Sequence, residues 1–282
     1  MAIGAALVTV LLWASAFVGI RVAGEELSPG PLTLARLVIG AAVLGLFVAA
    51  RRAPLPPRSD IPRLLACGLL WFGAYNVLLN AAEQRVDAGT AAMLVNVGPV
   101  LIALLAGVLL HEGFPRSLLA GCAVAFAGAV VIGLATSGRS PDAGGGAALC
   151  VAAAAAYAGG VVAQKPLLER TSALQVTFLA CLIGAAACLP FAPVLARELG
   201  DAGTEAVAWT VYLGVLPTAV GFTTWAYALK RTSAGRMGAT TYLVPPLTVL
   251  LGWAVLGEAP PALALLGGAL CLAGVAVSRS RR

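Results

Sequence analysis

In one apolar stretch of this chain, Phe72, Asn76, Asn80 and Glu83 recur at i, i+4, i+8 and i+11, so a helix there presents them on one face, with Tyr75 at its border. Elsewhere, Asn96 stands one turn before Pro99, and Tyr242 stands the same distance before Pro245. Tyr157 and Gln164 are seven residues apart, as are Thr218 and Trp225, and Thr9, Trp13 and Phe17 share one side of the first apolar segment. Amides and aromatic rings offer hydrogen bonds and π faces but neither a nucleophile nor a base. Together they fit a site that binds a zwitterionic or mildly amphipathic metabolite. The competing reading is structural: interhelical hydrogen bonds worth about 0.6–2 kcal/mol each for Asn and Thr, and interfacial anchoring for Trp and Tyr.

The charged residues are fewer and more ambiguous. Arg36 falls inside the second apolar segment, where it either reaches out to the headgroups, pairs with Glu25, Glu26 or Glu83, or meets a substrate carboxylate. Glu112 and Glu258 stand at equivalent turns and are expected to cap the starts of the fifth and tenth helices, where a carboxylate complements the positive dipole end. Pro99 and Pro245 each remove a backbone donor, and the resulting kink serves either as a gate hinge or as a packing feature. Glu83 lies near the end of its segment and no carboxylate falls at mid-segment, so proton or sodium coupling through a buried acid has weak support. Facilitated diffusion, or coupling through another group, stays open.

Catalytic readings fare poorly. His111-Glu112 opens like a zinc-protease motif, but Pro115 stands where the second histidine is needed. With one His and no paired mid-segment carboxylates, an intramembrane enzyme lacks its parts. The six cysteines lie in apolar runs without metal-ligand or CxxC spacing and read as small packing residues. No cofactor or metal is implied. No Walker motif is present, so ATP is not the direct energy source.

The elements that position these residues follow from composition. Of the 282 residues, 60% are hydrophobic and 11% charged, and mean hydropathy is +0.96. A water-soluble domain carries roughly 25% charged residues, so the solvent of this chain is the lipid bilayer. Spanning backbone must satisfy its own hydrogen bonds, and apolar runs of about 20 residues without two-residue alternation select helices. Ten spans fit, at roughly 3–22, 31–50, 63–82, 89–110, 117–135, 146–164, 173–194, 207–229, 237–256 and 261–278. The start, Met1-Ala2-Ile3-Gly4, lacks a positive n-region, so the first run reads as a retained helix. With the N-terminus in the cytoplasm, thirteen of the 18 Lys and Arg fall inside and nine of the 12 acidic residues outside. Both termini are then cytoplasmic. The net charge of +6 is mostly topology and gives no reason to invoke nucleic acid.

A repeat at a constant offset of 146 residues organises the whole. Ala88-Gly89 recurs as Ala234-Gly235, Pro99 as Pro245, Glu112 as Glu258, Pro115 as Pro261, Gly121 as Gly267 and Gly128 as Gly274. Residues 1–135 and 146–278 form the two five-helix halves, 136–145 a polar, glycine-rich linker, and 279–282 a basic tail. An odd number of spans per half forces the second half upside down, an arrangement typical of secondary transporters. The small stripes Gly121/Ala125/Gly128 and Gly267/Cys271/Gly274 permit close helix packing, within the chain or as a homodimer seam.

Leu12-Trp13-Ala14-Ser15-Ala16-Phe17 in the first helix, Arg36 in the second, and the Pro99…Glu112 and Pro245…Glu258 frames together resemble the EamA family of the drug/metabolite transporter superfamily, over nearly the whole chain. The resemblance implies export of amino acids or other metabolites across a bacterial inner membrane, through a central cavity lined mainly by helices 1, 3, 4, 6, 8 and 9. The alternative is a non-transporting membrane receptor or assembly subunit.

Overall fold

The computed structural model describes residues 1–51, 56–86, 88–136, 143–256 and 262–279. Those residues are helical almost throughout, in rods joined by short turns. In chain order these are α1 (Ala2–Ala23), α2 (Pro29–Arg51), α3 (Arg58–Glu83), α4 (88–109), α5 (Arg116–Thr136), α6 (Ala143–Arg170), α7 (Ala173–Ala187 with a continuation to Asp201), α8 (Thr204–Leu229), α9 (234–256) and α10 (Ala262–Arg279). Seven helices among the described residues are long and apolar enough to cross a membrane, and α7, bent by 50°, makes an eighth if counted as one span. Arg116–Gly128 in α5 and Leu265–Ser278 in α10 are shorter apolar helices. The outward faces carry Leu46, Phe47, Val108, Trp253 and Leu272, each more than half exposed. The protein is a multi-pass helical membrane protein.

The helix ends lie within about three residues of the expected segments, except that α3 begins five residues earlier, α7 continues to Asp201 rather than 194, and α6 runs longer at its far end. Helix α6 starts at Ala143, inside the expected linker, and runs through Pro166 to Arg170 rather than ending at 164. The rest of the linker (137–142), Glu258 and the tail beyond Arg279 lie outside the described residues.

Interruptions inside the rods matter more than their ends. Helix α3 widens to a π-helix over Cys67–Ala74, and α8 does the same over Gly214–Gly221, which includes Pro217. Asn76 repairs the first interruption by donating Nδ2–H bonds to the carbonyls of Trp71 and Phe72, at 3.1 and 2.9 Å. The second is tied to α1, where the Thr9 hydroxyl donates to Gly221 at 3.2 Å and also meets the Thr224 hydroxyl at 2.8 Å. Helix α4 divides into Ala88–Val95 and Gly98–Leu109, and α9 into Ala234–Thr240 and Val244–Leu256 across a 3-10 turn at Thr241–Leu243. Pro99 and Pro245 each occupy the second position of the later segment, where a missing N–H costs nothing. The expected kinks are short tightened turns within continuous rods, in the same place in both halves.

The small-residue stripes of α5 and α10 face each other. A Cβ on Gly128 would lie 2.6 Å from the Gly267 carbonyl oxygen, and one on Gly274 would lie 2.6 Å from that of Gly121. Between these contacts the Cys271 thiol donates to the Ala125 carbonyl at 3.4 Å, joining two residues exactly one repeat apart. Pairing each stripe end with the opposite end of its counterpart is the contact pattern of a two-fold axis. The stripes thus pack on each other within one chain, the first of the two arrangements the sequence allowed.

This packing yields a direct expectation. Gly128→Leu should lower the melting temperature in detergent sharply, since overpacking a tight seam costs about 1–3 kcal/mol. Gly4→Leu, at a glycine with nothing within 4 Å, should leave it unchanged.

Candidate functional site

Among the described residues the core has two large apolar clusters and two smaller ones. One of the large pair, containing Ala6, Leu44, Leu64, Leu167 and Leu229, lies toward the end where the chain begins. The other, containing Ile20, Leu27, Leu32 and Val86, lies toward the opposite end. Trp13 and Tyr75 pack against both.

At this junction the aromatic rings converge. Trp13 stacks on Trp225 with ring centroids 4.9 Å apart, and meets Phe222 at 5.2 Å and Trp71 at 6.0 Å. Tyr157 adjoins Trp71 at 5.4 Å and Tyr75 at 5.8 Å. Glycines on neighbouring helices let these groups approach. Gly98 lies under the Tyr157 ring and Gly221 under the Trp13 indole nitrogen, which a Cβ would approach to 3.1 Å, while Gly160 and Gly184 lie against the Cβ and backbone of Trp71 and Phe72. The cage encloses two small cavities, of about 20 and 30 Å³, that share Trp13, Phe17 and Tyr75. Ligand sites usually run to roughly 300 Å³ or more, so the centre is closed. Larger openings lie at either end: a vestibule of about 320 Å³ lined by Arg21, Glu25, Asn80, Glu83 and Gln84, and one of about 240 Å³ lined by Ala2, Ala228, Arg231, Arg236 and Met237.

The residues singled out from sequence divide accordingly. Trp13, Tyr75, Asn76, Asn96 and Tyr157 line the two central cavities, and Trp225 backs them through its stack on Trp13. Asn80 lines the vestibule. Gln164 is fully buried, and neither polar atom of its amide has a hydrogen-bond partner among the described residues. Tyr242 is fully buried against Ala103, Leu118 and Ala125, on the α4–α5–α9–α10 side and outside the lining of the central cavities. The Trp13 and Trp225 indole nitrogens and the Tyr242 hydroxyl are likewise buried without a partner.

Two members of the cage escaped the sequence reading. Trp71 stands one turn before Tyr75 and Phe222 one turn before Trp225, spacings that could have pointed to both.

The charged residues resolve as follows. Arg36 is 3% exposed, lines the central cavity, and donates its Nε–H to the Thr218 hydroxyl at 3.2 Å, so it does not reach the headgroups. Its charge acts on Glu83, which is 2% exposed, more deeply buried than a place at a segment end implied. Glu112 does not cap α5. Its carboxylate accepts the N–H groups of Ala234 (2.8 Å) and Gly235 (3.2 Å), at the start of α9, 122 residues away. The turn explains the redirection: His111 and Gly113 both take left-handed backbone, with φ of 55° and 71°, and swing Glu112 away from its own helix. Glu112 draws on the dipole of a neighbouring rod instead of its own. From the other side, Lys165 donates its Nζ–H bonds to the carbonyls of Leu229 (2.7 Å) and Thr232 (2.6 Å), so the α8–α9 turn is held by an acid and a base.

Comparison with known proteins agrees with this architecture. The family model for the EamA-like transporter family matches residues 1–134 and 144–280. The chain belongs to that family. It is 40% identical to a "Probable terminal-alkyne amino-acid exporter" of Streptantibioticus cattleyicolor, over 99% of this chain and 94% of the other. It is 26% identical to a "Probable amino-acid metabolite efflux pump" of Salmonella typhimurium, over 97% and 93% of the respective chains. A solved crystal structure superposes with a TM-score of 0.77 at 25% identity, covering 99% of this chain and 96% of that one. The EamA-like fold and the transporter class make this protein a carrier rather than an enzyme.

The Glu112 contact makes a measurable demand on any EamA-like chain built this way. Glu112→Ala should lower stability by about 1–2 kcal/mol, the usual cost of losing a helix cap, and Glu112→Gln by less, as read by thermal unfolding in detergent.

Proposed function

We propose that the protein is a secondary transporter, not driven by ATP, that exports amino acids or related small metabolites across the bacterial cytoplasmic membrane. The observation that carries the reading is the aromatic cage, closed at the centre of the bundle between vestibules opening at opposite ends. A carrier needs a site that can be reached from either side but not from both at once. The substrate class is taken from the two named relatives, both exporters of amino acids or their metabolites by description.

In this reading the ten rods are ten spans, and residues 1–135 and 146–278 are inverted halves joined by residues 136–145. The two-fold contact pattern between α5 and α10 supports the inversion. The excess of Lys and Arg at the end where the chain begins supports cytoplasmic termini, the last of them the basic residues 279–282. Trp13, Tyr75, Asn76, Asn96, Tyr157 and Trp225 form the cavity, with Gln164 and Tyr242 lining it once the halves separate. Asn80 belongs to its outer mouth. The paired turns at Pro99 and Pro245 are the hinges, since the proline has no ladder bond to lose. At the cytoplasmic end, Glu112 and Lys165 hold the α8–α9 turn and must release it for the cage to open inward. Glu258, by the repeat, is the counterpart of Glu112.

Purified protein in liposomes should release preloaded L-amino acids, and Trp13→Ala should reduce that flux by about tenfold or more while Trp253→Ala, at an outward-facing ring, should not. Equal rates in Trp13→Ala and wild type would remove the cage from the path. Fluorescent-protein fusions at either terminus should both be bright in cells, as cytoplasmic ends require; a dark fusion at either end would break the ten-span topology.

A further inference from the structure

The passage between the outer vestibule and the cage carries more polar chemistry than packing requires. On the vestibule wall, Asn80 is 2% exposed and its orientation follows from its neighbours. The Thr33 hydroxyl donates its one proton to the Pro29 carbonyl at 2.8 Å, so its oxygen must accept. Asn80 supplies that bond from Nδ2 at 2.9 Å, which leaves Oδ1 as a buried acceptor without a partner among the described residues. Glu83, one turn further along α3 and 2% exposed, lines the same vestibule. On the inner side Arg36 lines the central cavity; Nε is bonded to Thr218, and no hydrogen bond among the described residues takes its terminal amino groups. Ile20 lines both spaces, so the two sets of groups stand on either side of one side chain, and a route joining them would run past it.

The charge balance of that route is distinctive. The charged groups lining it are Arg21, Glu25 and Glu83 at the vestibule and Arg36 within. Two cations and two anions cancel. In a medium of low dielectric a net-charged solute would meet no matching excess, whereas a solute carrying one charge of each sign meets a partner for both. A cluster of this kind held for structure alone would not leave the Asn80 acceptor empty, because an unbonded buried amide oxygen is costly.

We infer that Arg36 on α2, and Asn80 with Glu83 on α3, form a head-group site for a zwitterionic α-amino acid: Arg36 takes the carboxylate, and Asn80 Oδ1 and Glu83 take the ammonium group. The side chain is then directed toward Trp13, Trp71 and Tyr75. This rests on the transport reading above and narrows it, because the site selects the amino-acid head group and leaves the side chain to the aromatic cage.

The test is binding of three probes to the full-length protein in detergent by calorimetry: L-propargylglycine, its methyl ester, and its N-acetyl derivative. Wild type should bind the free amino acid about tenfold or more tighter than either capped form, the effect of losing one charge-assisted contact. Arg36→Gln should abolish the preference over the ester and keep the preference over the N-acetyl form. Glu83→Gln should do the reverse. Where Arg36→Gln fails to fold, Arg36→Lys, which keeps the charge but loses the fork, should narrow only the discrimination against the ester. Equal binding of the three probes by wild type, or no binding of any, overturns the head-group site. So does uniform weakening of all three in the variants, the signature of a structural role. Liposome flux of other metabolites by the same preparation would then leave the carrier standing without this site, and absence of all flux would remove the carrier reading itself.

Discussion

A buried polar group without water to hydrate it must find a partner in the protein or face a wet space, and this requirement shapes the structure from its ends to its centre. Helix starts are capped by carboxylates borrowed from remote turns. Glu198 accepts the amide and hydroxyl of Ser28 at the head of α2, Glu26 accepts the amide of Gly203 before α8, and Glu112 accepts two amides of α9. Each cap removes orphan donors and also ties together rods far apart in the chain. In water such bonds would compete with solvent. At the membrane boundary they determine which turns lie side by side.

The same requirement explains why interruptions within the rods gather near the centre. A π-segment or a broken helix frees carbonyls, and each must be met. Asn76 meets two in α3, and Thr9 meets one in α8. These residues are near the cage because the interruptions are there. Their polarity is thus partly committed to the backbone, and in the proposed reading the groups left for a solute are the indole nitrogens without a partner among the described residues, the Asn80 oxygen and the Arg36 fork. Separating committed from available polar atoms is what turns a list of intramembrane polar residues into a site.

The cage also depends on what is missing. Glycines on facing helices have no side chains to hold the Tyr157 and Trp13 rings away, and others let the helix carrying Trp71 and Phe72 approach its neighbours closely. This close packing leaves only about 20 and 30 Å³ of free space. On the proposed transport reading, admission of a metabolite means separating rings, and the turns at Pro99 and Pro245, with no ladder bond to lose at the proline, are the proposed hinges.

Some of this was legible without coordinates, for definite reasons. Apolar run length and charge asymmetry expose the helical membrane class because lipid tolerates nothing else. The repeat exposes the pairing of Pro99 with Pro245, and helical periodicity puts Asn76 and Tyr75 near one face. The partner of Glu112 was not legible, because two left-handed residues redirect it to a helix 122 residues away. Nor was the burial of Arg36, whose position near a segment end allows either direction until Thr218 is seen opposite it. Tyr242 has the spacing of its counterpart Asn96 but faces α5 and α10, because a 3-10 turn rotates it. Sequence alone determined the solvent, the element type and the internal symmetry, since these depend on composition and period. Which side chains share a space was decided only in three dimensions, where local changes in helical pitch turn each residue and remote backbone supplies its partner.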